Sequence, residues 1–301
     1  MAKSRLVIGV IGSFILAIFY ASAGIYISSV SDAPCAFQNE SATYELPKYC
    51  SEINLYMKVL LIATHLLAFA LFPFSMYVYW KSEAKMQAKA AFSSVLGFAF
   101  LMVAIGGEIG WHVGQQWFYQ EEYFILNFMF YFFFMLGIAF WANGISLKEN
   151  HSPGALDKLA NLANIMLFIS PLVVTLVYGG GAFLKKSCPE AEFCSSLPSW
   201  ISPSKVPIYI LMALEFAILS IRLYRLLDND WRVVFLPIFS VGVNLFFIFL
   251  LNANADSTFL NPLFHMLHDL IGTELGVFIA TLLVWDHAKA GPPEGIRKKS
   301  N

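Results

Sequence analysis

The sequence predicts an all-α, polytopic membrane protein with eight transmembrane helices. Three observations carry this. Of the 301 residues, 58% are hydrophobic and the mean hydropathy is +0.65. Only 13% are charged, half the roughly 25% of an ordinary soluble domain. Eight stretches reach the ~20 largely apolar residues that a membrane-spanning helix needs. The net charge of −1, with no block of like charges, argues against a nucleic-acid-binding footprint.

The first stretch is Leu6–Ser28. It is too long for a secretory leader and lacks a small-x-small cleavage site, so it is expected to stay as a helix. The others are expected at Ile53–Trp80, Met86–Gly107, Phe118–Ile145, Leu159–Leu184, Val206–Tyr224, Trp231–Asn252 and Leu263–Asp286. Short loops on one side carry Lys81, Lys85, Lys89, Lys148, Lys158, Arg222, Arg225 and Arg232, with Arg297 to Lys299 in the tail. Cationic loops stay inside, so both termini are expected in the cytoplasm. Trp80, Trp111, Trp117, Trp141, Trp231 and Trp285 fall near the expected interfaces, as an aromatic belt would. The run Phe128–Phe134 reads as a lipid-facing or interhelical surface.

All four cysteines fall in two outer loops, Cys35 and Cys50 in the first and Cys188 and Cys194 in the third. An even count on that side fits two local disulfides in an oxidising compartment. Asn39-Glu40-Ser41 on the same face matches a glycosylation sequon. Cys35 and Cys188 lie 153 residues apart, as do Tyr56 and Tyr209. Each half would hold one helix, a two-cysteine loop and three more helices. The expected organisation is a four-helix half over residues 1–147, a linker over 148–158, a second half over 159–287 and a tail over 288–301. Four helices per half relate the halves by an axis along the membrane normal.

Ionisable groups within hydrocarbon are costly and mark candidate sites. In the last helix His265, His268 and Asp269 share one face at spacings of three and four and lie near the outer boundary. Glu108 and His112, four apart, end the third helix at a similar depth, where Glu108 is expected to be solvated. His65 on the second helix lies about a turn deeper. Imidazole with carboxylate suits zinc, iron or copper, and paired imidazoles suit haem. His65, His112, His265 and His268 are therefore the candidate cofactor ligands. His112, His265, His268 and Asp269 form the candidate metal set. Glu108, Asp269 and Glu274 are the candidate catalytic or proton-moving groups. Glu215, Asn244 and Asn127 fall near mid-depth and are candidates for a proton path or polar cavity. The Gly179-Gly180-Gly181 run has no GK[ST] after it, and no G-x-S-x-G or HExxH occurs.

The layout, with Cys188-Pro189 and Cys194 after the fifth helix and Cys35 and Cys50 in the earlier loop, resembles haem A synthase. That resemblance implies a haem enzyme with one His on each of helices 2, 4, 6 and 8. His65 and His268 stand on helices 2 and 8, Glu215 stands where helix 6 would carry its His, and His112 precedes helix 4. The spacings Glu108 to His112 and His265 to Asp269, with Glu121 or Glu122 between them, resemble the CREST superfamily of membrane-embedded zinc hydrolases and receptors.

Three functions follow as expectations. The first is a membrane oxidoreductase with a haem or transition-metal site near the outer face. The second is a zinc-dependent lipid amide or ester hydrolase. The third is a proton-coupled transporter or receptor-like binding protein. Membrane lipids, and other membrane subunits, are the expected partners. The expected location is a bacterial inner membrane or a eukaryotic organelle membrane.

Overall fold

A computed structural model describes residues 55–82, 91–114, 120–145, 155–186, 206–254, 257 and 259–290. Among the described residues the regular structure is entirely helical. The expected first helix, the sequon and all four cysteines lie outside the described residues. The helices are α1 (Leu55–Ser82), α2 (Ala91–Gly114), α3 (Gln120–Asn143), a short α4 (Ala155–Ala160), α5 (Ala163–Lys186), α6 (Val206–Leu226), α7 (residues 231–253) and α8 (residues 260–290).

Five described segments are long and apolar enough to cross a membrane: Val59–Ser82, Phe92–Gly110, Val206–Leu226, Trp231–Leu251 and Leu260–Lys289. Met129–Asn143 in α3 and Ala163–Val177 in α5 are shorter apolar stretches. In lipid a helix satisfies every backbone polar group within itself, which is why this composition folds this way. The expected positions hold for all seven, with ends displaced by a few residues. The largest shift is in α2, expected to stop at Gly107 but running to Gly114. Glycines inside a packed transmembrane helix do not end it, and Glu108 therefore sits within α2 rather than at its mouth.

The seven long helices close into a ring. α1 packs on α2 and α8, α2 on α3, α3 on α5 and α6, α5 on α6, α6 on α7, and α7 on α8. The tightest crossing is α2 with α3. A Cβ on Gly97 would lie 2.5 Å from Trp141 N and 2.6 Å from Gly137 O. Small residues here let two backbones touch, the packing that substitutes for hydrophobic driving force in lipid. Ser93 and Ser94 complete the seam, donating to Phe140 O at 2.9 Å and Trp141 O at 3.0 Å. Trp141 is fully buried against Phe98 (centroids 4.7 Å apart) and Tyr79 (6.0 Å). It belongs to the core, not to the expected interfacial belt. Trp231 is exposed, and Trp285 lies under Lys289 Nζ at 4.7 Å. In the aromatic run of α3, Tyr131 and Phe134 are buried and Phe132 and Phe133 half-buried, so it is largely interhelical. Lipid-facing positions include Leu66, Phe168, Leu172, Leu176, Phe246 and Phe249.

Arg222 was counted by sequence among the cations that set orientation. It also serves as a buried tie between helix ends. Its Nε donates to Ala160 O at 2.8 Å, and its Nη1 to Ala142 O at 3.1 Å and Ile145 O at 2.8 Å. Terminal carbonyls of a helix lack intrahelical partners and carry the negative end of its dipole, so a guanidinium fits both needs. The α6–α7 turn passes through positive φ at Asp228 (53°) and Asn229 (66°), residue types that tolerate this region. Asp230 then caps α7, accepting from Arg232 N at 3.0 Å. The Arg232 guanidinium on the same carboxylate holds the Asp230 carboxyl below the usual range.

α7 and α8 are not uniform α-helices. Ile238–Val243 and His268–Glu274 adopt π-helical geometry and pack on each other. Gly272 meets Asn244 there so closely that a Cβ on Gly272 would collide with the Asn244 side chain. Asn244 Nδ2 donates to Ser240 O and to Thr273 Oγ1, both at 3.1 Å.

Candidate functional site

Four chemistry-bearing side chains meet where α1, α2 and α8 touch. His65 comes from α1, Glu108 from α2, and His265 and Asp269 from α8. Each offers one donor atom, and all four atoms lie within 4.8 Å of one another. His65 Nε2 is 3.5 Å from Glu108 Oε2 and 3.4 Å from Asp269 Oδ2. His265 Nε2 is 3.7 Å from Glu108 Oε1 and 3.5 Å from Asp269 Oδ2. Side-chain exposure is 1% for His65, 6% for Glu108, 12% for Asp269 and 17% for His265. The cluster is thus closed on its α1 and α2 sides and open only past His265 and His268.

Local structure aims each group. His65 is held by its other nitrogen, because Nδ1 donates to Leu61 O, one turn back, at 2.7 Å. A carbonyl only accepts, so the proton on Nδ1 is fixed and Nε2 faces the carboxylates. His265 and Asp269 project from one face of α8 at i,i+4 spacing. Asp269 is oriented by its neighbour, with His268 Nδ1 2.8 Å from Oδ1, leaving Oδ2 toward the two imidazoles. Asp269 lies in the first turn of the π-helical stretch, so its position relative to the rest of α8 depends on that irregular geometry. Glu274 is buried at the other end of the same stretch and stands in the electrostatic field of Asp269, His65 and Glu108.

The structure thus keeps His265 and Asp269 together, as the α8 spacing predicts. It adds His65, a candidate cofactor ligand, and Glu108, a candidate catalytic group, and corrects the expected solvation of Glu108, which is buried. His268 is a neighbour of the cluster rather than a fifth donor. The side chain of His112 lies outside the described residues, as does that of Asn127. The other mid-depth groups serve separate contacts. Glu215 on α6 is buried and accepts from Ser170 on α5, whereas Asn244 joins α7 to α8. Tyr131 and Tyr209 meet across α3 and α6 at 3.1 Å.

A family model described as "Seven transmembrane receptor" (7TM_cyano) matches residues 57–290. The match takes in all seven long helices and all four residues of the cluster. The chain belongs to this family of seven-transmembrane receptors. It is accordingly an integral, multi-pass membrane protein. No curated protein and no solved structure matches it. The 7TM_cyano match begins after the stretch Leu6–Ser28, so the seven family helices are those of the described ring.

Proposed function

We propose that this chain is a receptor-like binding protein of the membrane. Its ligand site is the His65–Glu108–His265–Asp269 cluster, and its relay is the pair of π-helical stretches in α7 and α8. The observation that carries the reading is that Asp269 belongs to both. The residue that completes the buried cluster also lies in the first turn of the irregular segment that packs on α7. π-helical turns inside α-helices concentrate at functional sites because the extra residue can be absorbed or released. A ligand that repositions Asp269 therefore bears on the Gly272–Asn244 contact directly.

The family favours this binding-protein expectation over the redox-enzyme and hydrolase expectations. The separate partners of Glu215 and Asn244 favour it over a proton path through those two residues. The route onward is continuous. A Cβ on Gly276 would lie 2.9 Å from Ser240 Oγ, so α8 and α7 stay in close contact below Gly272. At the far end His287 Nε2 stands 3.9 Å from Asp228 Oδ2 in the α6–α7 turn. From His265 to His287 is about 33 Å along the helix at 1.5 Å per residue.

Hydrogen exchange of the full chain in lipid nanodiscs tests this. Asp269→Asn and Glu108→Gln should change exchange severalfold in residues 226–234, at the far end. The Gly97–Gly137 seam between α2 and α3 should be unaffected. Changes confined to the neighbourhood of residue 269 would refute the relay and with it the receptor reading.

A further inference from the structure

We propose that the cluster is a four-coordinate site for a divalent transition-metal ion, with zinc the expected occupant. This deepens the receptor reading and rests on it for the site's purpose, though not for its chemistry. Three independent features of the four side chains point to an ion.

The first is spacing. At zinc–nitrogen and zinc–oxygen bonds of 2.0–2.1 Å, adjacent ligand atoms of a tetrahedron stand ~3.4 Å apart. Asp269 Oδ2 stands 3.4 and 3.5 Å from the two imidazoles, and Glu108 stands 3.5 Å from His65 by Oε2 and 3.7 Å from His265 by Oε1. Those values are too long for charge-assisted hydrogen bonds, which run at about 2.7–2.9 Å. Direct pairing of protonated imidazoles with the carboxylates would draw the groups closer than they stand. Octahedral coordination at the same bond lengths would place neighbouring ligands at about 3.0 Å, also closer than observed.

The second is charge. With both imidazoles neutral, as metal ligands must be, the two carboxylates leave a charge of −2. Burying them in a helix bundle is costly unless they are compensated, and one divalent ion restores neutrality at a single point.

The third is the surrounding hydrogen bonding. Metal-bound imidazoles and carboxylates are held by bonds on their distal atoms, which fix tautomer and aim. His65 has this through Leu61 O, and Asp269 through His268. Asp269 Oδ2, the atom facing both imidazoles, has no hydrogen-bond partner among the described residues. Partial exposure of His265 and His268 supplies an entry path, as a loadable site needs. The donor set of nitrogen and oxygen suits zinc, and also iron or manganese, but not the soft-ligand preference of Cu(I).

The experiment uses the full chain in nanodiscs, stripped with chelator, with Cys35, Cys50, Cys188 and Cys194 all changed to Ser so that thiols do not compete. Zinc and cobalt(II) are titrated separately, and bound metal is measured by elemental analysis after gel filtration. The expected result is one ion per chain. It should bind at least tenfold more weakly in His65→Gln, Glu108→Gln, His265→Gln and Asp269→Asn. His268→Ala keeps all four donors and should weaken binding less than any of these. Cobalt(II) should give the intense visible bands of a tetrahedral complex. Overturning results are no bound ion in monodisperse protein, affinity unchanged in the His65 and His265 variants, or the weak bands of six-coordinate cobalt. A Soret band in the protein as purified would overturn it in favour of haem. Zinc binding without a far-end exchange response would keep this site and remove the receptor reading. A far-end response without metal binding would do the reverse.

Discussion

Replacing Arg222 with Met tests whether the ring of helices is tied by one guanidinium. Arg222 is 5% exposed and donates three well-formed bonds, to Ala160 O, Ala142 O and Ile145 O. A hydrogen bond involving a charged donor contributes roughly 1.5–3 kcal/mol, and an abandoned buried acceptor costs about 1–3 kcal/mol. Three such bonds set a ceiling of about 9 kcal/mol, but the removal also relieves the desolvation of a charge. A net loss of about 4 kcal/mol is expected, or roughly 10 °C in Tm for a chain of this size. Arg222→Lys keeps the charge but cannot reach carbonyls on two helix ends at once, so it should recover less than half of the loss. The assay is thermal unfolding followed by tryptophan fluorescence in a single detergent. A Met variant within about 2 °C of the parent, or a Lys variant equal to it, would refute the idea that fork geometry ties α6 to α3 and α4.

Other outcomes follow from contacts of the same kind. Gly97→Ala places a methyl against two backbone atoms of α3 and should lower stability by about 1–3 kcal/mol, read as Tm in the same assay. Gly272→Ala should disturb the Asn244 contact without touching the four donor residues, so far-end hydrogen exchange should change while the site residues stay in place. Ser170→Ala removes the donor to the buried Glu215 carboxyl and should cost about 1–3 kcal/mol, and adding Glu215→Gln should recover part of it. Asp230→Ala removes the α7 cap and should cost about 1 kcal/mol at neutral pH. Because Arg232 depresses the Asp230 carboxyl, its contribution is present above the ordinary carboxylate pKa and lost as pH falls below it, so parent and variant should converge in acid.

The helices were legible because hydrocarbon imposes length and composition on them residue by residue. The pairing of His265 with Asp269 was legible because both lie on one helix at a fixed spacing. Which helix stands beside which was not, and that decides the rest of the site. Sequence spacing offered His112 as the neighbour of Glu108, since they are four apart. The bundle places His65 beside Glu108, because α1 lies between α2 and α8. Glu108 was misjudged because Gly106-Gly107 reads as a helix end in water, whereas in a packed membrane helix it does not. Trp141 was misjudged because depth along the sequence says nothing about which side of a helix faces lipid. The π-helical stretches left no compositional trace, since Ile238–Val243 and His268–Glu274 contain no proline and only the ordinary glycines of a membrane helix.

The four donors are divided unequally in time as well as in space. His65 and Glu108 belong to the first two described helices, and His265 and Asp269 to the last. A nascent chain places the first pair in the bilayer while well over a hundred residues, through α7, are still to be made. Over that interval α1 and α2 present an imidazole and a carboxylate to each other, with no α8 to cover them. Arrival of α8 seals the ring and supplies both missing donors in one step. Assembly of the four-residue cluster and closure of the helix ring are therefore the same event in biogenesis. A chain stalled before residue 260 would carry an open polar notch, a feature that membrane quality control could recognise as unfinished.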